Sequence, residues 1–377
     1  MLVVHVLEPF VSGVTTAVIS ITQQLPKINH LIVHGSRMWV DEVMNVKKRF
    51  PSHVTFIDWP FAEREINLKN DTRALISLIK ILSNYRDAVV HLHSSKAGFL
   101  GRIACRYLGI KRVIYTPHGA SFIRTDISRR DQRLFHLLER LGAFFGGLVV
   151  GCGKSEAKLY HNLGGNGLFV SNGVSITSTE EDKDVNLITF VGIASKQKDP
   201  SLFNRIASRV KDGDFIWVGD GPLRPALQSA NITITDWVNT TAVYAYLNRA
   251  SIYLSTSAWE GLPFGVLEAM NAGCALLLRD IPGNRDLVVQ GQNGYLFNSE
   301  DEAVDHLKQM LADHEKTRAM GCKSRDIAKK DYSVGEMGRR YLEIYERLSD
   351  KRKYRTLQRD MNKETHGKQG NPNRNIQ

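Results

Sequence analysis

The chain has few cysteines, no long apolar run and none of the common nucleic-acid signatures. Its four cysteines, Cys105, Cys152, Cys274 and Cys322, are scattered over 377 residues. They show neither metal spacing nor the density of a disulfide framework, and read as reduced, buried residues of a cytoplasmic protein. The longest apolar run, Leu141 to Cys152, is too short to span a bilayer and is broken by glycines. The N-terminus has no basic leader and no small-residue cleavage site, so no signal peptide is expected. Zinc-finger, RNP and helix-turn-helix patterns are missing, which argues against nucleic acid as a partner.

What the chain does have is charge of one sign, unevenly spread. The formal net charge is +11. Between Val90 and Arg140 there are ten lysines and arginines against three acids, Asp126, Asp131 and Glu139. A face of that kind suits a phosphorylated substrate or an anionic membrane surface. Within it, the segment 129–140 reads as a basic amphipathic helix. Leu134, Leu137, Leu138 and Leu141 fall on one helical stripe, expected either to pack on a sheet or to lie on a bilayer.

The rest of the pattern is alternation. Short apolar runs at 2–7, 31–34, 54–57, 88–93, 112–116, 148–151 and 169–171 read as strands. They alternate with helical patterns near 15–25, 41–50, 71–84, 97–108, 128–144 and 155–161. After Ser171-Asn172-Gly173-Val174 a polar interval runs to Asp184. A second alternation follows, with strands at 187–192, 215–219, 232–234, 251–255 and 275–278. Its helices are expected near 201–211, 223–229, 240–248, 264–271, 299–313, 315–329 and 334–348. The fold class this implies is α/β, with two Rossmann-like, doubly wound parallel sheets facing across a cleft. The expected division is 1–173, 174–333, a helix at 334–350 crossing back to the first half, and a basic disordered tail at 351–377.

The stretch Ser255 to Met270 is the most informative. It reads as a strand end, a loop framed by Gly261, Pro263 and Gly265, and the start of a helix. A helix start offers free N–H groups and a dipole suited to phosphate. Glu260 and Glu268 beside such a seat are poor phosphate ligands but good acceptors for sugar or ribose hydroxyls. A glycosidase pair is the rival. Its carboxyls would be roughly 5 Å apart, whereas eight helical residues span about 12 Å.

Glu260-Gly-Leu-Pro-Phe-Gly-Val-Leu-Glu268-Ala-Met resembles the signature of the retaining glycosyltransferases of family 4, which have the GT-B fold. The resemblance extends from Gly13 to about Tyr345. It implies that Glu260 binds hydroxyls of a donor sugar and Glu268 the ribose, with Phe264, Gly265 and Val266 among the donor-binding residues. Gly192-Ile193-Ala194-Ser195-Lys196-Gln197-Lys198 resembles the family's diphosphate segment, with Lys198 on the expected cation. Ile193 stands where many members have an arginine, and Lys196 is the candidate substitute. Gly219 and Gly221, in a turn thought to open a helix, resemble the family's segment beside the nucleotide. Trp237 lies where the base is sandwiched, and is read equally well as a core residue. Gly13, in the loop Pro9–Thr15, resembles the glycine that approaches the donor phosphates. His118, after the strand ending Tyr115-Thr116, matches a histidine near the donor sugar. Lys96 is a candidate for an acceptor phosphate. No Asp-x-Asp motif sits in a suitable loop, so neither a metal nor another cofactor is expected.

The resemblance implies a retaining, metal-independent hexosyltransferase. The expected donor is a nucleotide diphosphate sugar, most readily a UDP-sugar. The expected acceptor is a lipid-linked or saccharide glycan of bacterial O-antigen, capsule or exopolysaccharide, met in the cytoplasm at the inner membrane face. The alternative is a two-domain nucleotide- or sugar-binding protein without catalysis, with Ile193 in its favour. A sugar-phosphate epimerase on the same double fold is disfavoured by the Glu260/Glu268 frame.

Overall fold

The computed structural model describes residues 1–8, 10–35, 43–63, 66–164, 167–177 and 182–350. Residues 351–377 and 36–42, the latter including the first two of the helix expected near 41–50, lie outside the described residues, as do Pro9 and residues 178–181 of the polar interval.

The first half alternates β1 (Leu2–Leu7), α1 (Ser12–Gln24), β2 (Asn29–His34), α2 (Val43–Lys48), β3 (Thr55–Asp58), α3 (Leu68–Leu82), β4 (Val89–His93) and α4 (Ser95–Leu108). It continues with β5 (Val113–Thr116), α5 (Arg129–Phe144), β6 (Leu148–Gly151), α6 (Lys154–His161) and β7 (Leu168–Phe169). The second half contains β8 (Asp184–Val191), α7 (Pro200–Arg209), β9 (Asp214–Val218), β10 (Ile232–Ile234), α8 (Thr240–Arg249), β11 (Ala250–Ser255) and α9 (Phe264–Asn271). It closes with β12 (Ala275–Arg279), β13 (Gly294–Phe297), α10 (Glu300–Ala312), α11 (His314–Asp331) and α12 (Val334–Ser349).

The strands form two parallel sheets, seven strands in the order β3-β2-β1-β4-β5-β6-β7 and six in the order β10-β9-β8-β11-β12-β13. Strands buried on both faces by crossover helices must be apolar throughout. Ala275 to Leu278 of β12 meets that condition, every side chain being fully buried. In each sheet the strand order reverses once, between β1 and β4 and between β8 and β11. Loops at the carboxyl ends of those strand pairs diverge and leave a crevice. Lys198 follows β8 and Glu260 follows β11, so the second sheet's reversal brings them together.

Helix α12 returns to the first sheet. Its Met337, Tyr341, Tyr345 and Leu348 share a core with Val3, Ile21, Val89 and Ile114. The Tyr345 hydroxyl lies 2.8 Å from His91 Nδ1. No helix among the described residues is long and apolar enough to cross a membrane.

Several expectations need correction. Residues 223–229 are not a helix. Only a short 3-10 turn, Arg224–Ala226, forms there, because the N–H groups of Gln228 and Ser229 donate to Asn204 Oδ1 instead. Strand β13 was not anticipated, since Gly294-Tyr-Leu-Phe is short and begins on glycine. Cys105, Cys152 and Cys274 are buried but Cys322 is exposed on α11. Of the leucine stripe of α5, Leu138 is half-buried and lines a cavity with α3 and α4, whereas Leu134, Leu137 and Leu141 are exposed, and Phe144 is 83% exposed. The face that docks carries Glu139 and Gly142. Glu139 accepts from Arg102 Nη2 of α4 at 3.0 Å and from the Tyr115 hydroxyl at 2.7 Å. The Arg102 guanidinium lies 4.5 Å over the Tyr115 ring. Helix α5 is therefore held by a buried, hydrogen-bonded ion pair.

A buried pair that loses one partner strands the other charge. Arg102→Met is expected to lower stability by about 3–5 kcal/mol, read as a drop in the urea midpoint. Adding Glu139→Gln, which removes the stranded charge and still accepts from Tyr115, should recover more than half of the loss.

Candidate active site

The two halves touch through backbone. A Cβ on Gly261 would lie 2.7 Å from the Gly119 nitrogen and 2.8 Å from Cys152 Sγ, so only glycine fits between the sheets there. Around this point the Asn172 side chain donates to the Leu262 carbonyl at 2.8 Å. The Ser155 N–H and hydroxyl both donate to Asp286, at 2.9 and 2.7 Å. Asp286 of the second half thus caps α6 of the first, whose own N-cap, Gly153, has no side chain to do so. Glu156 accepts from the backbone N–H groups of Gly119 and Cys152 at 2.6 and 2.7 Å, fixing the turn after β5.

Glu260 sits beside this joint and is buried. One carboxylate oxygen is bonded to Lys198 Nζ and the other accepts from Gln197 Nε2 at 3.3 Å. Gln197 also donates to the Trp259 carbonyl at 3.0 Å. The Lys198 backbone is held by Thr256 Oγ1, which donates to its carbonyl at 2.8 Å. Across the cleft Arg124, which follows β5, places its guanidinium 5.9 Å over the Trp259 ring and pairs with Asp126.

Helix α9 begins directly after the loop. Its N-cap Pro263 supplies no side-chain cap, so the first N–H groups, on Phe264, Gly265 and Val266, have no intrahelical partner. The Val266 side chain is in the core, which leaves its backbone N–H as the only part that can face the cleft. Gly265 packs on Tyr253, and Phe264 lies 3.5 Å from the position of a Cβ on Gly13. Gly13 is in the first turn of α1 rather than in a loop, because extended Val11 already starts the helix.

Glu268 is one turn further along. Burial alone pushes its carboxyl up to about 7. No group among the described residues hydrogen-bonds that carboxyl. A half-buried carboxylate that no protein group occupies is open to hydroxyl donors of a ligand.

The loops after β8 and β9 are stitched together. Ala194 N–H donates to the Asp220 carbonyl at 2.9 Å, and Leu223 N–H to the Ala194 carbonyl at 2.9 Å. Gly219, at φ 130°, approaches so closely that a Cβ would meet the Gly192 carbonyl at 2.5 Å. Ile193 turns its Cγ2 against Gly221. Gly219 also pairs with Asp236, which is ion-paired to Arg224. Beyond Asp236, Trp237 is 63% exposed, so it is not a core residue.

His118 has φ 57°, and burial lowers its pKa to about 3. Its Nε2 lies 2.9 Å from His93 Nδ1. Among the described residues, His5, His91 and His93 bring ring nitrogens within 4.8 Å of one another, as metal ligands would. Each of those nitrogens already has a hydrogen-bond partner in a neighbouring ring, hydroxyl or threonine.

Residues 11–177 match the family model described as Glycosyltransferase Family 4, and residues 185–313 match Glycosyl transferases group 1. The UDP-Gal:alpha-D-GlcNAc-diphosphoundecaprenol alpha-1,3-galactosyltransferase of Escherichia coli is 30% identical over 273 residues, 63% of this chain and 69% of that protein. The chain is a family 4 glycosyltransferase. The O-antigen biosynthesis glycosyltransferase WbnH of Escherichia coli is 26% identical over 308 residues, 76% of this chain and 89% of that protein. In fold it is similar to the sucrose-phosphate synthase of Thermosynechococcus elongatus, with TM-score 0.78 at 13% identity, covering 92% of this chain and 99% of that one. The two-sheet architecture is the GT-B fold. As a member of this retaining family the protein is an enzyme that moves a sugar from a nucleotide-sugar donor, rather than a non-catalytic binding module.

In this glycosyltransferase Glu260, Lys198 and the start of α9 lie at the second sheet's reversal, with His118 and Gly13 contributed from the first half. Lys96 is elsewhere. It is ion-paired with Asp71 at 2.6 Å and lines a largely apolar cavity of about 320 Å³ between α3, α4 and α5. Lys196 is exposed. Gln197, Arg124 and Asp286 were not singled out from sequence. Only Gln197 carried a local signal, as the neighbour of Lys198.

The state of Glu268 has a measurable consequence. A carboxyl whose pKa rises on folding, here from 4.5 to about 7, holds its proton more tightly in the folded state. Stability is therefore lost as pH rises through that window. Glu268→Gln has no such proton to lose. It should be more stable than the parent by about 2–3 kcal/mol at pH 8 and nearly equal to it at pH 4.5, by urea unfolding at the two pH values.

Proposed function

We propose that the protein transfers a hexose, with retention, from a UDP-sugar to a lipid-linked glycan in bacterial O-antigen or capsule synthesis. The observation that carries the site assignment is Glu268, a half-buried carboxyl to which no described residue hydrogen-bonds, beside an uncapped helix start. In this reading residues 174–333 hold the donor and residues 1–173 the acceptor, with 334–350 tying the halves together. The α9 N–H groups and Lys198 take the diphosphate, Glu268 the ribose, Glu260 the sugar hydroxyls, and Trp237 with Gly219 and Gly221 the base. Gly13 and His118 close the pocket from the other side. Lys198 and Glu260 are paired before the donor arrives. A diphosphate competes for the lysine and sugar hydroxyls for the glutamate, so both ligand groups replace one internal pair.

Catalysis then rests on charge. As the glycosidic bond breaks, negative charge grows on the leaving diphosphate, where α9 and Lys198 stabilise it. The same oxygen takes the acceptor's proton, and attack follows on the same face. With Ile193 in place of an arginine, Lys198 bears more of this load. The choice of UDP and of a polyprenyl-diphosphate-linked acceptor is supported by the name of the Escherichia coli galactosyltransferase described above.

Membrane contact is proposed through α5. Its exposed Leu134, Leu137, Leu141 and Phe144 lie on one stripe, flanked by Arg129, Arg130, Arg133 and Arg140. That is the pattern of a helix lying in an anionic interface. It would place the enzyme at the inner face of the cell membrane.

Two experiments test the reading. With purified protein, UDP-sugar and a lipid-diphosphate acceptor, Glu260→Ala should cut transfer by about a hundredfold or more with an unchanged circular dichroism spectrum. An undiminished rate would sink its role. In co-sedimentation, the protein should bind phosphatidylglycerol vesicles and release them at high salt. Leu137→Asp combined with Phe144→Asp should abolish that binding, and retention of the double variant on vesicles would exclude α5 as the contact.

A further inference from the structure

Four histidine rings run in a line across the first sheet to the cleft. His30 Nε2 lies 3.2 Å from the Leu25 carbonyl oxygen. His5 Nε2 is 3.1 Å from His30 Nδ1, and His93 Nε2 is 3.1 Å from His5 Nδ1. His118 Nε2 is 2.9 Å from His93 Nδ1. Neighbouring ring centroids are 5.2–5.3 Å apart.

The direction of every bond in this line follows from its first member. A carbonyl oxygen only accepts, so His30 carries its proton on Nε2. A neutral imidazole has one N–H, so His30 Nδ1 accepts and His5 must donate from Nε2. The same step repeats at His93 and again at His118. Burial keeps the rings neutral: it lowers His30 to about 4 and His118 to about 3, and holds His5 and His93 well below the usual value. His91 stands outside the line, with its nitrogens on the Tyr345 hydroxyl and Thr116 Oγ1. A metal on His5, His91 and His93 would have to break these bonds.

We infer that His30, His5 and His93 are positioning residues that lock His118 as its Nε2–H tautomer, so that its Nδ1 lone pair is offered as an acceptor to a hydroxyl of the bound sugar. His118 is partly exposed, and no group among the described residues bonds its Nδ1. The inference rests on the proposed place of His118 at the donor. It makes a carbonyl at the far end of the line decide which hydroxyl orientation the site accepts.

The test is the histidine tautomer, read by two-bond proton–nitrogen correlation in the full-length protein. In the parent, His5, His30, His93 and His118 should all show the Nε2–H pattern and should not titrate between pH 5 and 8. In His30→Phe the line loses its terminal acceptor and can reverse. Part of the His118 signal should move to the Nδ1–H pattern, and kcat/KM for the UDP-sugar should fall about tenfold, the loss of one substrate hydrogen bond. His30→Gln, whose amide can donate to Leu25 and accept from His5, should restore both. An Nδ1–H pattern for His118 in the parent, titration within that range, or zinc-bound histidine signals would each overturn the inference, as would an unchanged His118 pattern in His30→Phe. The parent spectrum needs no variant to fold. It is also independent of turnover, so its failure leaves the transferase reading intact, and an active Glu260→Ala enzyme would leave the tautomer result intact.

Discussion

The arrangement depends on one backbone contact. Gly261 lies against the Gly119 nitrogen and Cys152 at a distance that admits no side chain. Everything that could bind a donor is measured from this point. Glu260 precedes Gly261, the uncapped start of α9 follows within three residues, and His118 precedes Gly119 on the opposing half. Asp286 capping α6 and Asn172 bonding Leu262 hold the same joint from either side. A Cβ at Gly261 would push the sheets apart and separate groups contributed by different halves. The joint thus couples packing to chemistry, since a site built across two sheets is only as well ordered as their contact.

Around that joint the two glutamates occupy opposite electrostatic states. Glu260 is satisfied by Lys198 and Gln197, whereas Glu268 is half-buried, with its carboxyl pushed up by burial and bonded to no described residue. The first is arranged to exchange one set of partners for another, so donor binding there costs little net charge separation. The second is partly desolvated, which disfavours its charged form in the empty protein. Unfavourable burial of this kind persists where a ligand relieves it.

Helix α5 shows how an ion pair can free an apolar face. Arg102, Glu139 and Tyr115 bond the helix to the sheet, and Leu134, Leu137 and Leu141 are left exposed. The periodicity of that stripe was visible in the sequence. Its direction was not, because an inward and an outward stripe have the same spacing. The residue that decides it is Glu139 on the docking face, an acid in an otherwise basic region.

By itself the sequence determined the order of nearly all the elements, the α/β class and the Glu260–Glu268 frame. Each of these is written in residues close together in the chain, where periodicity, glycine and proline act locally. It also placed Lys198 after β8 and His118 after β5. It did not determine that Lys198 and Glu260 pair across 62 residues, or that His5 meets His93 across 88. It did not show that residues 223–229 yield their helix to the Asn204 side chain. Those outcomes belong to tertiary structure alone. Which polar groups find protein partners, and which, like the half-buried Glu268, do not, is decided by distances between segments that no local pattern encodes.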